Sequence, residues 1–448
     1  MVPDLVHKYS APVPRYTSYP TAPHFTEEVD NEVARGWLAE LKPGTTASLY
    51  LHIPFCDTLC WFCGCTTRHV LRYDPIRPYL QTLKDELKLV ATLAPDLKVE
   101  RVHWGGGSPT LLKPEDIIGL AGAIRDAFPS AGEAEFAVEV DPRELDDERV
   151  AAIGEAGFTR ASIGVQDFSK KVQTAINRMQ SFEETQSAAE RLRAVGIKSI
   201  NVDLVYGLPY QSRANLISTV KKILQLKPDR VALFGYAHVP NVIPRQKMIP
   251  DESLPDVVER FAQANRAATL FTGAGYQRIG FDHFALPEDS LAVAAWEGRL
   301  HRNFQGYTDD QADALIGFGA SSISQLPQGY LQNEKTNRRY TAAIEEGKLA
   351  TVRGFTLSNT DRVRAFVIER LLCDFAFSGA ALKARFGALA DPVINDARYF
   401  AEADPDGLFA RVGDRFVVTD RGRPFVRSVA ASFDTYFGTR AATHSTAV

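Results

Sequence analysis

The sequence lacks the features that would place a protein in a membrane, outside the cell or on nucleic acid. No run of apolar residues is long enough to span a bilayer. Residues 1–10, MVPDLVHKYS, lack the apolar core of a secretory signal, so we expect a cytoplasmic protein. With 51 basic and 55 acidic residues the net charge is −4, which predicts neither a nucleic-acid nor a membrane partner.

Cysteine is scarce, but its placement is informative. Of five cysteines in 448 residues, four lie within residues 56–65. A disulfide role is disfavoured because the expected compartment is reducing. Thiolates crowded into one loop repel one another unless a cation neutralises them, so this segment predicts a metal site.

The cysteine spacing narrows the choice of metal. Residues 47–53, ASLYLHI, predict a buried strand, and Pro54 starts a loop at its carboxyl end, where parallel α/β barrels carry their chemistry. Zinc sites usually pair two distant C-x2-C knuckles. Three close cysteines, Cys56, Cys60 and Cys63, instead favour a [4Fe–4S] cluster with one iron left open. A structural zinc site remains the alternative.

Beyond the cysteines, strand and helix patterns alternate to about residue 326, which predicts a parallel sheet. The length favours one large domain with additions, or two to three domains. The predicted strands are residues 47–53, 99–104, 135–140, 158–164, 197–204, 230–237 and 276–281. The predicted helices are residues 75–94, 114–127, 144–155, 183–194, 213–225 and 255–274.

Small and polar residues follow the predicted strands. Residues 105–110, GGGSPT, follow the second strand, and their bare backbone could approach a ligand closely. They lack the lysine of a phosphate-binding loop, which argues against nucleoside triphosphates. Glu139 ends the third strand and is a candidate for binding ribose or ammonium groups, with a salt-bridged rim residue as the alternative. Together these positions predict a ligand site at the barrel mouth.

Several motifs resemble one enzyme family. The C-x3-C-x2-C spacing after a strand, with Phe62 before the third cysteine, resembles the signature of radical S-adenosylmethionine (SAM) enzymes. The fuller run HIPFCDTLCWFCGC, with its additional Cys65, is similar to that of the oxygen-independent coproporphyrinogen III oxidases. So are PRYTSYPTA, WGGGSPT, GFDHFA and NFQGYT, and the resemblance extends over residues 9–437.

This resemblance implies a fold and a domain order. The fold is α/β, a partial (β/α)6 TIM-like radical SAM barrel with an N-terminal arm and a smaller, mostly helical C-terminal domain. We expect the arm in residues 1–45, the catalytic barrel in 46–339 and the C-terminal domain in 340–448. Within the last domain we expect helices at 336–348, 361–373 and 423–437, and a hairpin at 408–418.

The resemblance also implies cofactors and their contacts. It implies a [4Fe–4S] cluster on Cys56, Cys60 and Cys63, and two SAM molecules. Residues implied to line the SAM on the cluster are Tyr50, Phe62, Gly106, Glu139 and Ile323. Residues implied to line the second SAM are Gly107, Ser108, Gln166, Arg178, Asp203 and Ala237. Cys65 matches a family cysteine that is not a cluster ligand, and its role stays open.

The activity implied is oxidative decarboxylation of two propionates of coproporphyrinogen III to vinyl groups by a 5′-deoxyadenosyl radical, giving protoporphyrinogen IX. We expect a monomer that receives electrons from a donor such as flavodoxin or ferredoxin. We expect Asp282 and His283 near the pocket. Candidate ligands for the substrate carboxylates are Arg15, Arg68, Arg302 and Lys335. Alternatives are a radical SAM paralogue acting on haem and a non-catalytic haem- or metal-binding protein.

Overall fold

The computed structural model describes residues 2–439, and its centre is one sheet of twelve strands. Six neighbouring strands run parallel in chain order, as the alternating pattern predicts. Their bounds are Thr46–Ile53, Lys98–Gly106, Glu135–Val140, Arg160–Gln166, Ser199–Tyr206 and Arg230–Gly235. The carboxyl ends of these strands therefore meet on one side of the sheet.

The remaining strands of the sheet flank this parallel core. Ala314–Phe318 pairs parallel with the first strand and is followed by antiparallel Ile323–Leu326, Gly329–Asn333 and Thr351–Thr356. At the opposite edge, His283–Ala285 and Gln277–Ile279 are antiparallel. Two small ribbons lie outside the sheet, Phe55–Cys56 with Arg68–His69 and His301–Asn303 with Gly306–Thr308.

Helices connect the parallel strands close to the predicted positions. Their bounds are Ile76–Leu93, Pro114–Ala127, Asp147–Glu155, Lys170–Ala175, Phe182–Ala194, Arg213–Leu226 and Val257–Gly273. Helix Phe182–Ala194 shows why such boundaries are readable, since Ser181 and Glu184 each accept a hydrogen bond from the other's backbone N–H. Further helices span Asn31–Ala39, Ser290–Trp296 and Asn337–Glu345. Among residues 2–439, no helix combines the length and apolarity that crossing a bilayer requires.

Two predicted strands are shorter than expected. The strand expected over residues 230–237 ends at Gly235. Residues 276–281 were expected to be extended, but the strand ends at Ile279 and pairs antiparallel. Gly280 turns the chain there with φ +54°, and a side chain at this position would lie about 2.0 Å from the Tyr307 ring. The close approach of Tyr307, which comes from a distant segment, ends the strand.

The C-terminal region and the N-terminal arm share a hydrophobic core that is separate from that of the barrel. The helices of the C-terminal region are Asn359–Asp374, Gly379–Phe386, Asp391–Ala403 and Val426–Ala431, and its strands are Ala376–Ser378, Phe409–Val412 and Arg415–Val418. The last two strands form the predicted hairpin. Strand Thr351–Thr356 belongs to the barrel sheet. The division at residue 340 stays a proposal, and residues 440–448 lie outside the described part.

The N-terminal arm joins the barrel to the C-terminal region. It begins with helix Val2–Lys8. Side chains further along the arm form hydrogen bonds to the barrel and to the C-terminal region. Arg15 donates to the Gly235 carbonyl, at the end of the sixth parallel strand, over 2.5 Å. Tyr16 donates to Asp434 over 3.0 Å. Each bond joins residues more than 200 positions apart, so the arm links the barrel to the C-terminal region.

A buried carboxyl group holds the turn after Ala314–Phe318. Glu86 is 2% exposed and accepts hydrogen bonds of 2.7 Å from the Gly319 N–H, the Tyr340 hydroxyl and the Asn333 amide. Burial raises the pKa of Glu86 from 4.5 to about 7, against the lowering effect of these three bonds. The folded protein therefore binds this proton more tightly than the unfolded chain does.

We expect Glu86 to make stability pH-dependent. Its contribution favours folding at low pH and is lost as the pH rises from 4.5 to about 7, a change of about 3 kcal/mol. Urea unfolding of wild type and Glu86→Gln from pH 5 to 8 measures this, since the difference between the two free energies should change across that range. A constant difference would contradict the prediction.

Candidate active site

The cysteine loop folds back on itself directly after the first barrel strand. Cys56 ends the short strand Phe55–Cys56, which pairs with Arg68–His69 on the far side of the loop. The Arg68 N–H donates to the Pro54 carbonyl over 2.6 Å, and the Val70 N–H donates to the Cys56 carbonyl over 3.0 Å. Pro54, which has no N–H of its own, thus still serves as an acceptor. The ribbon fixes both ends of the loop.

A second contact ties the middle of the loop to the barrel. The Trp61 N–H donates to the Ile176 carbonyl over 2.9 Å. Asn177 donates its side-chain amide to the Leu59 carbonyl over 2.9 Å, and its backbone has φ +55°, which asparagine tolerates better than most residues. The segment after helix Lys170–Ala175 therefore positions the residues on both sides of Cys60.

A third contact comes from the turn Pro244–Met248. The Gln246 amide donates to the carbonyls of both Phe62 and Ala237 over 3.0 Å, which joins the loop to the end of the sixth strand. Arg245 donates to the Cys65 carbonyl over 2.7 Å. Sequence reasoning did not find Arg245 or Gln246, since no local pattern marks a side chain that bridges two distant carbonyls.

A cavity of about 240 Å³ opens beside the loop, at the carboxyl ends of the strands. Eleven of the fourteen residues predicted for the site line it. These are Cys56, Cys60, Phe62, Cys63, Gly106, Gly107, Ser108, Glu139, Gln166, Arg178 and Asp203. These residues come from four strands and the cysteine loop. The fold therefore brings together residues that are far apart in the sequence.

The other three predicted residues, Tyr50, Ala237 and Ile323, do not line this cavity. Tyr50 shares a hydrogen bond of 3.2 Å with His52. In the sheet Tyr50 is opposite Gly317, and a side chain at Gly317 would lie 2.7 Å from the Ile323 carbonyl oxygen. Tyr50 and Ile323 therefore belong to the same region, while Ala237 joins the site through Gln246.

The glycines after the second strand allow its backbone to approach the cysteine strand. The Gly107 N–H donates to the Ile53 carbonyl over 2.8 Å, and the Ser108 N–H donates to the Phe55 carbonyl over 2.7 Å. A Cβ at Gly107 would lie 2.4 Å from the Phe55 carbonyl oxygen. Gly106 has φ +110°, a conformation that other residues rarely adopt. Glycine is required at position 107 because the two backbones approach so closely, and at position 106 because of its positive φ angle.

Two carboxylates of the cavity differ in their electrostatics. Burial raises the pKa of Glu139, but hydrogen bonding to His103 and to the Gly106 N–H outweighs burial and lowers it below the ordinary value. Burial and the charge of Glu139 raise the pKa of Asp203 to about 6. Asp203 accepts hydrogen bonds from Ser162 and from Asn201. At neutral pH Glu139 is ionised and able to accept bonds from hydroxyl or ammonium groups.

Arg178 carries positive charge to the cysteines. It donates to the Asp141 carboxylate over 2.9 Å, to the Gly164 carbonyl over 2.6 Å, and its guanidinium lies 3.7 Å from the Cys60 sulfur. Burial raises the pKa of Asp141, but the charges of Arg178 and Arg143 outweigh burial and hold it at about 2. These contacts hold the Arg178 guanidinium beside Cys60, where its positive charge would stabilise an anionic metal–thiolate group.

The three thiols fit an iron–sulfur cluster. All are free of disulfides. Burial raises the pKa of Cys56 and of Cys60, so these thiols stay protonated until a metal displaces the proton. Hydrogen bonding with Cys65 lowers the pKa of Cys63. Across residues 2–439, no three His, Cys, Asp or Glu side chains converge like ligands of a single metal ion. Three soft donors around one cavity suit a polynuclear cluster.

A second cavity, of about 230 Å³, lies inside the barrel and shares Glu139, Ser162 and Asp203 with the first. His283 lines it and shares a hydrogen bond of 2.7 Å with Asp282, so the dyad lies next to the site, as expected. We call this space the barrel cavity.

The four candidate ligands for the substrate carboxylates separate into two groups. Arg15 and Arg302 lie at the arm, where Arg302 donates to the Arg15 carbonyl over 3.2 Å. Arg68 and Lys335 are exposed. None of the four lines the cavity beside the cysteines.

Comparison with known proteins gives the family. Residues 50–223 match the Radical SAM superfamily. The chain is 48% identical over 437 residues to oxygen-independent coproporphyrinogen III oxidase from Bradyrhizobium diazoefficiens, covering 97% of each chain. It is 47% identical to that from Paracoccus denitrificans, covering 98% of this chain and 97% of the relative. The solved structure of coproporphyrinogen III oxidase (HemN) from Escherichia coli, described as a radical SAM enzyme, superposes with a TM-score of 0.90 at 38% identity and covers 94% of this chain and 98% of its own. The chain therefore belongs to the oxygen-independent coproporphyrinogen III oxidases, a family of radical SAM oxidoreductases.

Proposed function

We propose that this chain converts two propionate side chains of coproporphyrinogen III to vinyl groups without oxygen, giving protoporphyrinogen IX for haem biosynthesis. The observation that carries the proposal is the single cavity where Cys56, Cys60 and Cys63 meet Glu139 and Arg178. Full-length similarity to relatives of that name supports the substrate. The comparisons give no support to a haem-acting paralogue.

The chemistry requires a radical. A propionate β C–H bond is not acidic, so no acid–base pair of the protein could remove that hydrogen. When bound, the [4Fe–4S] cluster and SAM supply the one-electron chemistry that takes it as a hydrogen atom. Cys56, Cys60 and Cys63 would hold the cluster through three irons, leaving the fourth open to SAM. Trp61 and Phe62, between these cysteines, would limit the access of water.

The remaining residues bind and orient. We propose that Glu139, ionised at neutral pH, accepts hydrogen bonds from SAM, in a pocket completed by Tyr50, Phe62, Gly106 and Ile323. For a second SAM we propose Gly107, Ser108, Gln166, Arg178, Asp203 and Ala237. The Ser108 N–H already donates to the Phe55 carbonyl, and its hydroxyl donates to Glu144. Ser108 would therefore line the pocket without a free hydrogen-bond donor for the ligand.

We also propose the setting of the enzyme. It acts as a cytoplasmic monomer with no nucleic-acid or membrane partner, and a small redox protein such as flavodoxin or ferredoxin reduces it. We assign residues 1–45 to an arm, residues 46–339 to the catalytic barrel and residues 340–448 to the C-terminal domain.

An anaerobic assay tests the function. The protein is reconstituted with iron and sulfide, reduced, and supplied with SAM and coproporphyrinogen III. We expect protoporphyrin after oxidation of the products, together with 5′-deoxyadenosine. Deoxyadenosine without this porphyrin would move the substrate to haem or another tetrapyrrole. Absence of both, with zinc in the purified protein, would overturn the radical SAM assignment.

A further inference from the structure

A third cavity lies between the arm and the C-terminal region. Its volume is about 310 Å³, and we call it the arm cavity. Residues 16–19 of the arm line one side, and helices Asn359–Asp374 and Gly379–Phe386 line another. It shares no lining residue with the cavity beside the cysteines. The site described above therefore does not account for it.

The arm cavity carries an excess of positive charge. Arg302, Arg362 and Arg385 line it, against one carboxylate, Glu369. That carboxylate is already used, since it accepts hydrogen bonds of 3.1 Å from the backbone N–H of Arg302 and from His301. It also lies 3.5 Å from Arg370, whose charge balances it. Glu369 therefore does not neutralise the arginines of the cavity.

Arg302 is buried with incomplete hydrogen bonding. Its side chain is 2% exposed, and its nearest carboxylate oxygen, on Asp282, is 3.8 Å away. Asp282 is bonded to His283 and also faces the charge of Arg15. Within residues 2–439, the Nη1 atom of Arg302 has no acceptor. A buried guanidinium with an open donor is costly unless an anion completes it.

The other two arginines are not neutralised by a carboxylate of the described chain. Neither Arg362 nor Arg385 forms an ion pair with another residue of the described chain. The Arg385 guanidinium lies 4.8 Å from the Phe366 ring centroid and 5.6 Å from that of Phe386, which orients its plane. Planar guanidiniums in fixed orientation match the two oxygens of a carboxylate.

We propose that the arm cavity binds a carboxylate of the substrate that does not react, with Arg302, Arg362 and Arg385 as its ligands. This inference rests on the proposed function. Coproporphyrinogen III has four propionates, of which two become vinyl groups, so two carboxylates persist through both reactions. A site that binds one of the unreacted carboxylates would hold the macrocycle on the enzyme while the other two propionates are converted to vinyl groups. Arg302 is suitably placed, because its neighbour Asp282 is bonded to His283 of the barrel cavity.

The test compares a double variant, Arg362→Gln with Arg385→Gln, with wild type and with Lys383→Gln. Lys383 lies on the same helix as Arg385, is exposed and pairs with Asp391 outside the cavity, so it controls for loss of charge. The probe is coproporphyrin III, whose fluorescence reports binding to the reconstituted enzyme. We expect the Kd to rise about tenfold or more in the double variant and to stay unchanged in Lys383→Gln.

Four further measurements separate carboxylate recognition from loss of structure. Replacing both arginines by lysine should restore part of the affinity, since charge returns without the planar fork. The tetramethyl ester of coproporphyrin III should bind wild type and double variant alike. In turnover, KM should rise much more than kcat falls. Unchanged coproporphyrin binding by the double variant would overturn the proposal, as would competition by inorganic phosphate as strong as that by the tricarboxylate citrate. Failure of the proposed function would instead appear as wild type without vinyl product.

Discussion

Replacing Cys60 by alanine should abolish cluster binding and turnover while the chain stays folded. Cys60 is 8% exposed, and the loop around it is held by backbone hydrogen bonds that do not involve its sulfur. With one of three ligands gone the cluster is lost, and no side chain can replace its radical chemistry. Iron and sulfide content, the cluster absorbance and product formation measure the effect, and we expect product below detection.

Cys373 provides the matched control. It is a buried thiol on helix Asn359–Asp374, packed with Leu291 and Tyr307 and away from the cysteine loop. Cys373→Ala should keep iron, sulfide and turnover, and cost about 1 kcal/mol of stability for the lost packing. Full turnover by Cys60→Ala would show that the cluster assignment is wrong.

Gly107→Ala should disrupt the site from the other side of the cavity. The added Cβ would meet the Phe55 carbonyl oxygen at 2.4 Å and the Phe55 nitrogen at 2.7 Å. Both are backbone atoms, so no rotation relieves the contact, and the strand that carries Cys56 must move. We expect SAM affinity to fall about 100-fold or more, and stability to fall by about 1–3 kcal/mol.

Gly122→Ala is the control for this substitution. Gly122 lies within helix Pro114–Ala127, and a Cβ there would meet nothing within 4 Å. Alanine should stabilise the helix by about 0.5–1 kcal/mol and leave SAM binding unchanged. Equilibrium dialysis with labelled SAM and urea unfolding measure both variants. Wild-type affinity in Gly107→Ala would mean that the two strands do not meet as closely as the structure has them.

The barrel was predictable because its signals are local. Each parallel strand is a short apolar run with a helix pattern after it, and both periods can be read within about fifteen residues. The grouping of Glu139, Gln166 and Asp203 followed from the same argument, since carboxyl ends of parallel strands meet on one side. The cavity that these residues share with the cysteines matches that expectation.

What escaped prediction depends on contacts between distant segments. All residues of strand Ala314–Phe318 are buried. The sequence therefore has no alternation of apolar and polar residues there that would identify a strand. The position of Gln246 depends on the Phe62 carbonyl, which lies on another element 184 residues away. The expected carboxylate ligand Arg68 is exposed. Its backbone pairs with strand Phe55–Cys56, a contact that its side-chain chemistry does not indicate.

The packing of the arm against the last helix has a consequence for synthesis on the ribosome. Residues of the arm, among them Val6 and Val13, share a hydrophobic core with Val426 and Phe433. The arm is translated first, yet the surface it packs on is translated last. This shared core can therefore form only after the whole barrel has been translated, so the arm lacks this packing surface until synthesis is nearly complete.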